Sequence, residues 1–347
     1  MSQFTLTTLH LLRDELTSLS RTPFFSPSLE SYLRNLIQIL GQVIAVYDTL
    51  PAQTSRSIAQ HIWRATKYLK GGTSKTVPYE TVYALNLALQ DWTTHPSQIT
   101  TALSEDPDDY HFWSIDPGKV IRQFLPGVSF NVELIQIALP RLYRHRPLYN
   151  VALYHELGHY VDTHYQISKY SLILSPLPSG TPDHLVQVAL SHRREFFADL
   201  FAASYTGKAI HKFLAAIAGE CRSTATHPAT NDRLQVVDDF VDGRANRVVE
   251  FFRQILKERD LPSLEIRYTR PDVSGCFNGI RPYRIANDAE LHGILEAGWL
   301  FGEHALRRNS FPWLHMESED VSRIVNDLVE KSIRNRMTVL KWQYANT

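Results

Sequence analysis

The sequence predicts an α+β fold that is predominantly helical, with a small sheet and an N-terminal helical region. Three observations carry this. Apolar residues recur at helical spacing over most of the chain, beginning with Leu6, Leu9, Leu12, Leu16 and Leu19. The strongest period-two alternation is confined to one stretch, Val128 to Leu139. The 347 residues, 44% hydrophobic and 21% charged, suffice for two domains or for one core with an appendage.

The elements follow in order. Pro23 and Pro27 end the first helical segment, and Leu29 to Leu50 restarts with Leu33, Leu36, Ile37, Leu40, Val43 and Ile44 on one wide apolar face. Pro51 stops it. Ser55 to Leu69 and Thr81 to Trp92 are two further helices, separated by the Gly71-Gly72 loop. Gln98 to Leu103 reads as a short strand and Glu105 to Asp109, with Pro107, as an acidic loop. Val128 to Leu139 reads as a strand that Pro140 ends, and as an exposed edge able to pair with an extended peptide. Pro147 opens a helix running to about Tyr165. A Ser/Pro-rich loop, Ser175 to Pro182, leads to a second helix from about His184 to Tyr205. Helices are expected over Lys208 to Ala218, Asn231 to Phe240, Asn246 to Arg259, Asp288 to Arg307 and Glu319 to Tyr344, with a short strand over Leu264 to Tyr268. The composition breaks divide the chain into a helical region 1–100, a central region 101–260 and a helical extension 261–347.

Several classes are disfavoured. Thirty-six basic and 36 acidic residues give zero formal charge, so no polybasic tail or acidic disordered segment exists. The basic cluster Arg141, Arg144, His145 and Arg146 reads as a solvated turn, and nucleic acid is not an expected partner. No run reaches the roughly 18 apolar residues of a membrane span. Nothing basic precedes the apolar stretch Phe4 to Leu12, which makes a poor signal peptide. Cys221 and Cys276 read as two reduced core thiols, and the chain is expected to be cytoplasmic.

The chemistry concentrates in His155-Glu156-Leu157-Gly158-His159, an H-E-x-x-H motif. On a helix, four residues advance about 400°, so the two imidazoles lie about 40° apart on one face. Two such rings can hold one zinc ion, and Glu156 is placed to act as base toward its open position. Gly158 allows another backbone to approach the helix closely. A third ligand is needed. The extended pattern with a third His fails, because Tyr165 stands where that His belongs and His164 is out of register. Glu195 and Asp199, one turn apart among Phe196, Phe197, Leu200 and Phe201, form a better candidate. Glu195 can be the ligand, and Asp199 can accept the free N–H of a ligand imidazole. His192 competes for the ligand role.

Three segments resemble the zinc metallopeptidases typified by the heat-shock protease HtpX and the CAAX prenyl endopeptidases, a gluzincin branch. They are His155-Glu156-Leu157-Gly158-His159, Arg194-Glu195-x-x-Ala198-Asp199-x-x-Ala202 and Thr226-His227-Pro228-x-x-x-x-Arg233-Leu234. Order and spacing agree, and the likeness covers about Asn131 to Asp239. It implies a zincin-like core with Zn2+ on His155, His159 and Glu195, Glu156 as catalytic base, His227 near the scissile carbonyl and Arg233 as an anchor of the site. Membrane members of the family carry transmembrane helices, so this chain resembles a soluble member. The ImmA/IrrE regulatory peptidases are similar in their H-E-x-G-H helix and in a later Glu segment ending in Phe-Ala, matched by Phe201-Ala202. The Thr226-His227-Pro228 element favours the first group.

The expected activity is that of a zinc endopeptidase: Glu156-assisted attack of a zinc-bound water on a peptide bond of a restricted protein or peptide substrate. His227 is the first choice for stabilising the oxyanion, with Tyr283 and Arg284 as weaker alternatives. The competing expectation is a regulatory or binding module on a zincin scaffold, in which the N-terminal helices bind a protein partner.

Overall fold

The computed structural model describes residues 3–73, 78–106, 109–128, 130–307 and 312–345. In chain order it contains α1 (Gln3–Leu19), α2 (Pro27–Ala45), α3 (Ala52–Lys70), α4 (Tyr79–Gln90), β1 (Ser97–Ser104), β2 (His111–Ile115), α5 (Pro117–Arg122) and β3 (Glu133–Pro140). There follow α6 (Ala152–Tyr165), α7 (Ile167–Leu174), α8 (Asp183–Thr206), α9 (Lys208–Ala218), α10 (Thr230–Val241), α11 (Arg247–Glu258), α12 (Ser274–Phe277), α13 (Asp288–Ala305) and α14 (Ser318–Ala345). The fold is α+β and mainly helical, with one small sheet. Pro107 and Asp108 of the expected acidic loop, and Ser129 before β3, lie outside the described residues. No helix among the described residues is long and apolar enough to cross a membrane.

The chain forms two compact units, Met1–Val82 with Thr93–Arg141 and Tyr83–Trp92 with Leu142–Thr347. These divisions fall elsewhere than the composition breaks near residues 100 and 260. In the first unit, Leu9, Leu12 and Leu16 of α1, Leu33, Leu36, Leu40 and Val43 of α2, and Ile58, Ile62 and Leu69 of α3 bury a shared apolar core. Ser26 caps α2 by accepting from Ser28 N, and Pro27 occupies the first turn, where a missing N–H costs nothing. Asp116 and Pro117 do the same for α5.

The sheet of this unit corrects the reading of Val128 to Leu139. Its order is β1-β3-β2, with β1 parallel to β3 and β2 antiparallel to it. The strand begins at Glu133, not Val128, and it is central, not an edge. Leu134 to Pro140 are buried on both faces, which explains the continuous apolar run Leu134-Ile135-Gln136-Ile137-Ala138-Leu139. With both sides of β3 already paired, the expected addition of a peptide to it has no backbone groups to use.

In the second unit, α6 and α8 pack against each other and α7, α9, α10 and α13 surround α8. Gln166, at φ 54°, breaks the chain between α6 and α7, and the buried Asp162 side chain accepts from Ser168 N at 2.6 Å to start α7. Gly207, at φ 55°, turns α8 into α9, where Glu296 accepts from Lys208 N at 3.0 Å. A Cβ at Gly207 would also lie 2.3 Å from the Tyr268 hydroxyl. Residues 264–268 carry no strand, contrary to expectation; they run irregularly, with Arg267 N donating to Ser204 O at 2.7 Å. Cys221 is exposed and Cys276 half-buried, so neither is a core thiol. In the basic cluster, Arg141 pairs with Glu105 at 2.9 Å and His145 lies 3.5 Å from Glu330.

Candidate metal centre

The centre rests on the contact between α6 and α8, and Gly158 sets its distance. A Cβ there would lie 2.9 Å from Ala198 Cα and 3.0 Å from Phe201 Cβ, closer than ordinary contact. Without it, the backbone of α8 lies directly against α6. His155 and His159, one turn apart on α6, then face Glu195 on α8. Their rings are 4.5 Å apart between centroids. One ligand atom from each of His155, His159 and Glu195 lies within 4.8 Å of the others, so the three can hold a single metal ion. His155 Nε2 is 3.4 Å from Glu195 Oε2, and His159 Nε2 is 3.3 Å from Glu195 Oε1.

The surroundings support these groups. Asp199, one turn after Glu195, is fully buried, and its Oδ1 lies 2.9 Å from His155 Nδ1. This leaves Nε2 of His155 as the nitrogen facing Glu195. Arg233 on α10 closes the set with a two-pronged contact: its Nε and Nη2 each donate to Asp199 at 2.7 Å. The same Nη2 is 3.3 Å from Glu195 Oε2. Despite these neighbours, Glu195 Oε2 is buried and accepts no hydrogen bond of normal geometry.

The electrostatics follow from burial competing with opposite charge. Burial opposes the charge on His155, but the Asp199 and Glu195 carboxylates outweigh it and push its pKa up to about 10. Burial would also raise Glu195, yet His155 and His159 hold its carboxyl well below the usual range. Asp199 is likewise depressed, by Arg233 and His155 against its own desolvation. Arg233 is raised above its ordinary value, because the carboxylates of Asp199, Glu195 and Glu156 outweigh its burial.

Glu156 is half-buried on α6, near enough for its charge to act on Arg233. His227 sits in the loop before α10 with its side chain 55% exposed, and its Nε2 is 3.7 Å from Glu195 Oε2. The structure therefore brings His155, His159, Glu195, Asp199, Arg233 and His227 into one cluster. His192, the competing ligand, and Tyr283, the alternative oxyanion donor, are instead engaged elsewhere. His192 Nε2 donates to the Thr224 carbonyl at 2.8 Å, and the Tyr283 hydroxyl lies 3.4 Å from Glu290. Sequence reasoning named Thr226 within the Thr-His-Pro element but missed Thr224, which closes the turn carrying His227. Its signal was a Thr two residues before the Thr-His-Pro element, a spacing that suits hydroxyl-to-backbone turns.

No protein-family model matches the chain, and neither does any curated protein or solved structure.

Proposed function

We propose that the chain is a zinc-dependent endopeptidase acting on a restricted protein or peptide substrate. The observation that carries this reading is the convergence of His155, His159 and Glu195 within 4.8 Å around a buried carboxylate oxygen that accepts no hydrogen bond. Two imidazoles and one carboxylate are a donor set that suits zinc and, as three ligands, leaves a position open for chemistry. When bound, the ion supplies Lewis acidity, acidifying a water and polarising a carbonyl.

The chain's own residues do the rest. Glu156 takes a proton from the attacking water and delivers it to the leaving amine. His227, exposed at the rim with Nε2 toward Glu195, donates to the carbonyl oxygen as negative charge develops there. Asp199 and Arg233 hold His155 and Glu195 in place from behind. The likeness of three segments to HtpX and the CAAX prenyl endopeptidases supports the same roles, with the departure that no membrane-spanning helix occurs among the described residues.

Metal analysis joined to a cleavage assay tests this. The purified chain is expected to hold one zinc per molecule and to cut a quenched-fluorescent peptide library in a chelator-sensitive manner. Glu156→Gln is expected to keep the zinc and to lose about a hundredfold to ten-thousandfold in rate. Cleavage at the unchanged rate by that variant would remove Glu156 from the role of base.

A second reading, a binding module acting through the N-terminal helices, is favoured by a groove of about 710 Å³ between α1 and α3. Phe4 and Trp63 there are 81% and 61% exposed, and Arg56 and Arg64 line it. In that reading Glu156→Gln leaves the cellular function intact, whereas Trp63→Ala removes it.

A further inference from the structure

His227 belongs to a loop that would be free to swing if nothing tied it down. The loop runs from Gly219 to Ala229, and Glu220 to His227 are exposed without exception. Yet the Thr224–His227 segment is closed on itself. Thr224 N donates to His227 O at 2.9 Å, and His227 N and Thr226 N both donate to Thr224 Oγ1, at 3.0 and 3.3 Å. A side-chain hydrogen bond ties this turn to α8: His192 Nε2 donates to Thr224 O at 2.8 Å. A carbonyl only accepts, so His192 must carry its proton on Nε2. His192 lies three residues before Glu195, on the same side of α8. The helix that presents Glu195 thus also holds the turn that presents His227.

The hydroxyls order the His227 ring as well. Thr224 Oγ1 already accepts two backbone N–H groups, which leaves it its own proton to donate. Two acceptors lie 3.4 Å from it, the His227 carbonyl and Thr226 Oγ1. In either case Thr226 Oγ1 keeps its own proton, and at 2.9 Å from His227 Nδ1 it can donate there. A ring that accepts at Nδ1 carries its proton on Nε2, the nitrogen 3.7 Å from Glu195 Oε2.

We propose that His192 and Thr226 are positioning residues for His227: His192 pins its turn to the helix bearing Glu195, and Thr226 sets the ring tautomer so that Nε2–H faces the site. This rests on the peptidase reading for its purpose, but not for its geometry. His227 would be of little use as a donor in the other tautomer, and the loop has no buried side chain to hold it before Pro228.

The test uses the full chain stripped of metal, with nitrogen-15 correlation spectra of the imidazoles at alkaline pH. His192 and His227 are both expected in the Nε2–H tautomer. Thr226→Val, which keeps the shape and removes the hydroxyl, should convert His227 to a mixture of tautomers, and Thr226→Ser should restore Nε2–H. His192→Ala should speed hydrogen exchange at the Thr224 and His227 amides about tenfold or more while α8 amides keep their protection. His192→Gln, which retains a side-chain N–H, should restore slow exchange. An Nδ1–H tautomer of either ring in the parent chain, or spectra and exchange unchanged in Thr226→Val and His192→Ala, would overturn the proposal.

A second readout uses zinc and the quenched peptide library. Thr226→Val and His192→Ala are expected to bind one zinc and to lose kcat at unchanged KM. If the parent chain neither binds zinc nor cuts peptide, the peptidase reading fails, and the tautomer and exchange results still decide the positioning on their own.

Discussion

Removing the Arg233 guanidinium should destabilise the second unit by about 3 kcal/mol, as follows from three features of the pair. Asp199 has no exposed surface and Arg233 only 8% of its side chain, so neither charge is hydrated. Both contacts between them are 2.7 Å hydrogen bonds. Exposed ion pairs are worth about 0 to 1 kcal/mol, whereas leaving one member of a buried pair unpaired costs about 3 to 5 kcal/mol. Asp199 would keep His155 Nδ1 at 2.9 Å, which places the expected cost at the lower end. Arg233→Met preserves the aliphatic stem and removes only the charged head. Urea denaturation followed through Trp92 and Trp299, both in the second unit, should show the midpoint falling by about 1.5 M if the m-value is about 2 kcal/mol per M. Asp199→Asn combined with Arg233→Met should cost less than the sum of the two single variants, because no buried charge is then left alone. A loss below about 1 kcal/mol in Arg233→Met, with additive single effects, would refute the view that this pair carries the frame of the site.

Other consequences are equally specific. Gly158→Ala gains about 1 kcal/mol of helix propensity but forces α6 from α8; a net loss of about 1 to 3 kcal/mol and weaker zinc binding are expected, measured by denaturation and equilibrium dialysis. Zinc added to the stripped chain at about a hundred times its dissociation constant should raise stability by about 2.7 kcal/mol, and His159→Ala should abolish the rise in a thermal melt. His292, buried with its Nδ1 3.0 Å from the Tyr154 hydroxyl, has its pKa lowered by burial from 6.5 to about 3. The unfolded chain therefore takes up this proton first as pH falls. Its contribution is complete above about pH 6.5 and should decline below it by up to about 1.4 kcal/mol per pH unit, reaching about 2 to 3 kcal/mol near pH 4.5. His292→Gln should flatten that part of the stability-versus-pH curve.

Most helices were legible because a helix buries a face through residues three and four apart, and that spacing is local. The Leu residues of α1 and α2 and the motif of α6 show it directly. What the sequence hid depends on partners far along the chain. Strand β2, His111 to Ile115, leaves Phe112 half-buried and Trp113 44% exposed, so no alternation marks it; it exists because β3 offers a free side. The opposite failure is Leu264-Glu265-Ile266-Arg267-Tyr268. It alternates as a strand should, but among the described residues no neighbouring strand pairs with it; its backbone bonds go to helices instead, Arg267 N to Ser204 O and Leu264 O to the Arg253 side chain. Helix α7 was missed because Gln166 takes a left-handed conformation without the Gly or Asn that usually signals one.

The same distinction separates the ligands from the rest of the site. His155 and His159 are read from one helix turn, and Glu195 with Asp199 from another. The register that aligns those two turns is a matter of packing, and the sequence carries it in a single residue, Gly158, whose missing Cβ admits Ala198 and Phe201. The link between Arg233 and Asp199 spans 34 residues, and that between His192 and Thr224 spans 32. Neither leaves a periodic trace; each can be seen only once α8 and α10 are in place. A variant scan would register the difference. Substitution at His159, the most exposed of the three ligands, should lower metal binding with the least loss of stability, whereas those at Gly158 and Arg233 should lower stability and metal affinity together, since they hold the helices on which the ligands stand.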